Sequence, residues 1–338
     1  MSDLSLSAPG SWHSRQWQEL VDRLLSGTLP HALLLHGQGG IGKHHFALDF
    51  ARSVLCEQRQ PDGACGACRP CLLNRAGSHP DLLLVEPESH GKPIKIDQIR
   101  RVVECANMTA QQRGFRVVIL NPAESLNVYS ANALLKSLEE PQERTLFLLI
   151  SQQIRTILPT IRSRCKMVPF VKPNRQQAVQ WLQQQGLERE RAHSLLALAA
   201  GGPLTAVWYE QQGLAALAET MQSGLLELTR GQRPPVQVAA QWADYDIITV
   251  LEWMALWVQE AACYRATGQR QRLSDEPLAA MLEYTARRTS LRALVDYHQW
   301  LLEQRRWRQR GSQISAQLLL EELLCRWLDL NRKGSAPL

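Results

Sequence analysis

Short apolar runs alternate with segments of helical periodicity through the first half of the chain. The runs occupy residues 32–35, 82–85, 117–120, 146–150 and 167–170. Runs of this length between turn residues predict strands, and 82–85 and 117–120 read as buried strands of a parallel sheet. Pro169 makes the last run an edge strand, because proline cannot donate to a neighbouring strand. Strands that alternate with helices predict a doubly wound α/β domain.

The helices are predicted from apolar residues that recur every three or four positions. In the first half these stripes are Trp17, Leu20, Val21 and Leu24, then Phe46, Ala47, Phe50, Ala51, Val54 and Leu55, then Ile96, Ile99, Val102, Val103 and Ala106, and finally Ala131, Leu134, Leu135 and Leu138. A helical turn or a short helix is predicted over residues 160–164. From residue 174 onward the pattern is helical only.

The last third of the chain carries dense apolar stripes. They are Leu251, Met254, Trp257 and Val258, then Leu291, Leu294, Val295 and Leu302, and finally Leu319, Leu320, Leu323, Leu324, Trp327 and Leu328. Core packing is the default interpretation. An oligomer interface is the alternative, because ten tryptophans are many for a small helical bundle.

Length and charge add limits to this picture. The chain has 338 residues and a net charge of +6, so two or three domains are expected and work near nucleic acid is allowed without being required. The basic cluster of Arg305, Arg306, Arg308 and Arg310 is interpreted as a solvated helix face. Residues 1–12 lack the pattern of a secretion signal, and no apolar run has membrane-spanning length, so a cytoplasmic protein without membrane contact is expected.

A glycine-rich loop follows the first strand and precedes the first helix of the domain. This is the setting in which G-x-x-x-x-G-K-S/T cradles a nucleotide phosphate. The candidate nucleotide-binding residues are Gly37, Gly39, Gly40, Gly42 and Lys43. His44 stands where the serine or threonine ligand of magnesium belongs, and imidazole is a poor magnesium ligand. ATP binding is therefore expected to be weak or absent.

Four cysteines lie within sixteen residues. Eight, two and two residues separate Cys56, Cys65, Cys68 and Cys71. Two overlapping C-x-x-C steps can direct four thiolates at one tetrahedral ion, and four protein ligands leave no open position for catalysis. The spacing predicts a structural zinc module at 56–71, with unliganded thiols as the alternative.

The order of these motifs resembles the clamp-loader branch of the AAA+ ATPases, specifically the delta-prime subunits of bacterial DNA polymerase III. The matching segments are Leu-Pro-His-Ala at 29–32, the cysteines after the loop helix, His-Pro-Asp at 79–81, Ile-Lys-Ile-Asp-Gln-Ile-Arg at 94–100, Asn-Ala-Leu-Leu-Lys-Ser-Leu-Glu-Glu-Pro at 132–141 and Pro-Thr-Ile-Arg-Ser-Arg-Cys at 159–165. The match covers about residues 29–205. Beyond that, only helical character and a weak leucine pattern at 318–324 agree.

The resemblance implies three domains: an AAA+ P-loop-type parallel-sheet domain with a zinc module at 1–172, a small helical lid at 173–210, and an all-α collar for oligomerisation at 211–338. It also exposes departures from a working ATPase. Asn121 and Pro122 replace the acidic pair that holds magnesium, and Thr205 replaces an arginine expected after the Gly-x-Pro turn. Together with His44, these changes make hydrolysis at this site unexpected.

Arg164, in the intact serine–arginine–cysteine motif, is implied to act in trans as an arginine finger for a neighbouring ATPase subunit. The resemblance thus implies a non-hydrolysing subunit in a hetero-pentamer with motor and delta subunits, acting on a sliding clamp and primer-template DNA. A polymerase label would apply only through that assembly.

Two other functions remain open. One is an ATP-hydrolysing motor subunit of the same family. The other is a zinc-dependent nucleic-acid-binding module, which the modest charge and the lack of interleaved aromatic and basic residues disfavour.

Overall fold

The structure is a computed structural model, and it describes residues 11–88, 92–108, 114–270, 278–309 and 315–332. The chain forms two compact units, Met1–Trp181 and Leu182–Leu338. Residues 1–10, on which most of the secretion-signal expectation rests, and Arg310 of the basic cluster lie outside the described residues. The division into three domains remains a prediction.

A five-stranded parallel sheet forms the centre of the first unit. Its strands are β1 (Ala32–His36), β2 (Leu82–Val85), β3 (Arg116–Leu120), β4 (Thr145–Ser151) and β5 (Lys166–Pro169), in the order β2-β3-β4-β1-β5. The register pairs Leu33 with Leu148 and Val117 with Leu146. The order places β1, which leads into the glycine loop, between β4 and β5.

Helices cover both faces of this sheet, as the alternating pattern predicts. The helices of this unit are α1 (Ser14–Leu25), α2 (Lys43–Leu55), α3 (Arg69–Arg75), α4 (Ile96–Asn107), α5 (Val128–Glu139), α6 (Pro159–Arg162) and the start of α7 (Arg175–Gln184). α1 and α2 pack on one face, which Leu33 and Leu35 share, whereas α4, α5 and α6 pack on the other, which includes Leu34. Neighbouring residues of one strand thus belong to different cores.

Strand β2 corrects one expectation. The run 82–85 was predicted to be buried, but β2 is an edge strand with β3 as its neighbour, and Leu84 is 40% exposed. Only Val85 of this strand is buried. An apolar run cannot by itself distinguish an edge strand from a central one. The edge position predicted for β5 agrees with the sheet order.

A buried ion pair ties the segment before β2 to β3. Arg116 Nη2 lies 3.1 Å from Asp81 Oδ1, and both side chains are almost fully buried. Arg116 Nη1 also donates to the carbonyl oxygens of Cys105 and Met108. Removing either partner would leave a buried charge unpaired. The pair therefore holds the residues just before β2 next to the start of β3.

The second unit is helical in its described part. It contains the end of α7, then α8 (Arg189–Leu198), α9 (Pro203–Gln211), α10 (Leu214–Thr229), α11 (Pro235–Trp242), α12 (Ile247–Thr267), α13 (Leu278–Arg288), α14 (Leu291–Gln309) and α15 (Ala316–Arg332). α12 packs against α13 and α14, and α11 packs against α15. Among the described residues, no helix combines the length and apolar composition needed to cross a bilayer.

The tryptophans of this unit largely serve its core. Trp242, Trp253, Trp257 and Trp327 are fully buried, which supports the core-packing interpretation, whereas Trp307 is half exposed. The predicted stripe of α14 needs correction: Leu291 and Val295 are exposed, and the buried face is formed by Leu294, Tyr297 and Leu301. Tyr297 can be buried on this face because its hydroxyl donates a hydrogen bond to the carbonyl oxygen of Leu323.

Candidate functional site

The glycine loop runs from the end of β1 to the start of α2 and needs glycine for steric reasons. A side chain at Gly37 would place its Cβ 2.3 Å from the carbonyl oxygen of Phe170. Gly42, which caps α2, has φ +99°, in the left-handed region that favours glycine. Gly39 and Gly40 lie between them. The loop therefore has the strand–turn–helix setting that the sequence predicts.

Lys43 bonds to the loop itself. Its Nζ donates to the carbonyl oxygens of Gly37 at 2.7 Å and Gln38 at 2.5 Å, and the side chain is 4% exposed. Burial lowers the pKa of Lys43 to about 8, against the opposing effect of Glu124. The ammonium group thus has acceptors within its own loop.

The position expected for magnesium is crossed by side-chain hydrogen bonds. Asn121 Nδ2 donates to His44 Nδ1 at 2.9 Å and to Glu86 Oε1 at 2.8 Å, and the His44 and Glu86 atoms lie 3.7 Å apart. Burial lowers the pKa of His44, which favours the neutral ring that can accept this bond. An amide N–H group stands where a cation would need oxygen ligands.

Two residues just before α1 also hold the loop. Trp12 Nε1 donates to the carbonyl oxygen of Ile41 at 3.1 Å, and His13 Nε2 donates to the same oxygen at 2.7 Å. The His13 ring packs edge-on against Phe170 at 4.6 Å. Burial lowers the pKa of His13, so the ring is neutral. Trp12 and His13 therefore connect the glycine loop to the segment that precedes α1.

Glu124, Pro122 and Thr205 lie outside the glycine loop. Glu124 Oε1 accepts a bond from the backbone N–H of Gln152. Pro122 follows Asn121 through a cis peptide bond at the end of β3. Thr205 lies in the second unit, in the first turn of α9. The loop, Asn121 and Glu124 thus share one edge of the sheet.

Arg164 lies between α6 and β5 and is 33% exposed. Its Nη1 donates to the carbonyl oxygen of Thr160 at 2.9 Å and to Ser163 Oγ at 3.3 Å. Its Nη2 forms an ion pair with Glu139, the last residue of α5. The next residue, Cys165, is buried, and burial raises the pKa of its thiol to about 12. The guanidinium is therefore accessible but already ordered.

The four clustered cysteines converge on one point. All four sulfur atoms lie within 4.8 Å of one another, with 3.8 Å between the sulfurs of Cys56 and Cys68 and 3.9 Å between those of Cys65 and Cys71. A regular tetrahedron with metal–sulfur bonds of about 2.3 Å has edges of about 3.8 Å. Backbone N–H groups of Ala67 and Cys68 lower the pKa of Cys65 to about 6. This cluster can hold a metal ion.

Sequence reasoning missed Glu86, Trp12 and His13. Glu86 could have been found, because it directly follows β2 and the carboxyl ends of parallel strands meet at one edge of a sheet. Trp12 and His13 gave no comparable signal, since their contact with Ile41 spans 28 or 29 residues.

Two family models match the chain. "DNA polymerase III, delta subunit" matches residues 12–174, and "DNA polymerase III, delta subunit, C terminal" matches residues 213–329. A DNA polymerase III subunit delta' of Pseudomonas aeruginosa is 36% identical over 326 residues, covering 96% of this chain and 98% of the relative. The chain belongs to the family of DNA polymerase III delta-prime subunits.

Further relatives agree with this family. The delta' subunit of Yersinia pestis is 30% identical and covers 94% of both chains. A gamma/tau subunit of DNA polymerase III from Mycobacterium bovis is 32% identical over 63% of this chain and 38% of the relative. The delta-prime family is thus matched along nearly the whole chain, and the gamma/tau relative over a part of it.

Proposed function

We propose that the chain is a non-hydrolysing member of the clamp loader, which helps place a sliding clamp on primed DNA and supplies an arginine to the ATP site of a neighbouring subunit. Family membership supports the assembly. The replacements at His44, Asn121 and Pro122, together with the presence of Arg164, support the role of a subunit that does not hydrolyse ATP but assists its neighbour.

The observation that carries the proposal is the hydrogen bonding of Asn121 to both His44 and Glu86. Phosphoryl transfer needs a magnesium ion held by oxygen ligands and a group that orients the attacking water. Here the ligand positions bond to each other, and Lys43 bonds to Gly37 and Gln38. Binding of magnesium and ATP would have to break all of these bonds, so binding is weak or absent.

Arg164 is the counterpart of this loss. Its guanidinium is partly exposed beside a short helix, within the serine–arginine–cysteine motif at 163–165. An arginine presented across a subunit border stabilises negative charge that develops on the transferred phosphoryl group. The chain would therefore assist ATP hydrolysis without performing it.

We further propose that the metal of the cysteine cluster is zinc in a structural role. The sulfur spacing fits zinc, and four thiolates complete a tetrahedral shell. When bound, zinc would cross-link the ends of the segment 56–71. Cys56, Cys65, Cys68 and Cys71 would hold it as thiolates.

The partners follow from the family in the same way. We propose a hetero-pentamer with motor and delta subunits, in which residues 173–210 form a lid and 211–338 a collar. Sliding clamp and primer-template DNA would be met through the complex. The place of action would be the cytoplasm, at replication forks on the nucleoid.

An ATP-hydrolysing motor subunit is the second candidate. The similarity to a gamma/tau subunit and the presence of Lys43 favour it. The replacements at His44, Asn121 and Pro122 favour the first candidate.

The test is ATP turnover by the clamp loader reconstituted with Arg164→Ala. We expect normal assembly and a loss of turnover of about 10³-fold at the one site that receives the arginine. Arg164→Lys should restore little, because a point charge does not reproduce the planar fork. Arg162→Ala, two residues away, is the matched control. Unchanged turnover with Arg164→Ala would exclude the role in trans.

A further inference from the structure

The carboxylate of Glu139 holds the guanidinium of Arg164, and we propose that Glu139 is a positioning residue for hydrolysis at the neighbouring site. The inference rests on the proposed role of Arg164. In this proposal Glu139 acts only through its contact with Arg164.

The guanidinium is held from two directions. The carbonyl oxygen of Thr160 and the hydroxyl of Ser163 bind Nη1, while Glu139 binds Nη2. The first two acceptors belong to the same short stretch of chain as Arg164, so they fix one end of the fork only. Glu139 comes from a different helix and determines the rotation of the fork. An arginine ordered before its ligand arrives loses less conformational freedom when it acts.

Glu139 itself sits on a well-anchored helix end. Leu134 and Leu138 of α5 are buried, and His31 Nε2 donates to the carbonyl oxygen of Leu138 at 2.9 Å. At the other end, Asn127 caps α5 by accepting the backbone N–H of Ser130. The position of the Glu139 backbone is therefore set by the core of the first unit.

The helix itself does not favour an acid here. The last turn of a helix carries the negative end of the helix dipole, which disfavours carboxylates. Glu139 ends α5 and Glu140 follows it. Among the described residues, Glu139 pairs with Arg164, whereas Glu140 is exposed and has no ion-pair partner. Pairing with Arg164 thus distinguishes Glu139 from Glu140.

This pair is not a structural brace. The side chains of Arg164 and Glu139 are 33% and 46% exposed, and ion pairs so open to water contribute little to stability. Removing Glu139 should therefore leave the fold intact and change only where the guanidinium points. The two variants Glu139→Ala and Glu140→Ala remove the same charge from the same helix end, so their comparison isolates the contact with Arg164.

The experiment measures ATP turnover by the reconstituted clamp loader with Glu139→Ala, Arg164→Ala and the double variant. We expect Glu139→Ala to lower kcat about three- to tenfold without changing the concentration of this chain needed for half-maximal stimulation. Glu140→Ala should have the parent kcat. Glu139→Gln keeps an acceptor oxygen at the same reach and should recover most of the activity. In the Arg164→Ala background, Glu139→Ala should have no further effect.

The outcomes separate the two claims. If Arg164→Ala leaves turnover unchanged, the proposed function fails. If Arg164→Ala lowers turnover but Glu139→Ala has the parent kcat, or lowers kcat equally in both backgrounds, Glu139 does not position Arg164. Thermal unfolding of each variant shows whether its fold is intact. If Glu139→Ala does not fold, Glu139→Ser takes its place. A Glu139→Ser variant that folds like the parent and has the parent kcat would also overturn the inference.

Discussion

At the scale of single residues, the side chains of His44 and Lys43 both form hydrogen bonds within the chain. Burial lowers the pKa of His44, and the neutral ring accepts the amide of Asn121. The pKa of Lys43, about 8, leaves the ammonium charged near neutral pH, where it binds two carbonyl oxygens of the loop. Each group is therefore satisfied within the chain.

Restoring oxygen ligands should restore some nucleotide binding. The double variant His44→Ser with Asn121→Asp supplies a hydroxyl and a carboxylate and removes the bonds among His44, Asn121 and Glu86. We expect magnesium-dependent ATP affinity to rise about tenfold, or about 1.4 kcal/mol, in isothermal titration. Adding Lys43→Ala should cancel the gain. Parent affinity equal to that of the variant would contradict this view of the loop.

His13 should make the fold sensitive to acid. Burial lowers the pKa of His13, so its ring stays neutral in the fold while the unfolded chain takes up a proton below about pH 6.5. The free energy of unfolding therefore falls as pH drops below 6.5 and is unaffected by this group above it. His13→Gln, which can still donate to Ile41, should reduce the loss between pH 7.5 and 5.5 in urea titrations. Equal losses in both proteins would show that His13 does not contribute.

At the scale of elements, much of the first unit could be predicted. The apolar runs located five strands, and the stripe from Phe46 to Leu55 located α2, because their periods differ and are set locally. Strand order was not predictable from the runs, so β2 was wrongly expected to be buried. Likewise, local spacing could not reveal that Glu139 meets Arg164, since this contact arises from the tertiary arrangement.

Trp17 of α1 connects the cysteine segment 56–71 to the core of the sheet domain. Trp17 Nε1 donates to the carbonyl oxygen of Pro61 at 3.2 Å, and its ring lies beside Gly63. Trp17 also packs against Phe46 and Phe50 of the core. A change in the cysteine segment is therefore expected to alter the environment of a tryptophan in α1.

Zinc should be measurable in the purified chain at about one ion per chain. Cys68→Ser should lose the metal, increase proteolysis between residues 56 and 75, and change the fluorescence of Trp17, because metal binding contributes directly to local folding. Cys263→Ser in the second unit is the matched control and should keep the zinc. A parent chain without bound metal would remove the zinc proposal.

At the scale of the whole molecule, the chain joins a parallel-sheet unit and a helical unit in the delta-prime family. The buried tryptophans of the second unit account for a core, and the identities to delta-prime relatives extend along both units. The replacements that we interpret as a loss of catalytic groups are His44 in the first turn of α2, Asn121 and Pro122 directly after β3, and Thr205 in the first turn of α9.

The measurement that tests this account most directly is ATP hydrolysis by the isolated chain in the presence of magnesium. We expect no turnover above background, and no difference between the parent and Lys43→Ala, because the cation position is closed by the bonds of Asn121. Turnover that Lys43→Ala abolishes would contradict the account and identify the chain as a motor subunit.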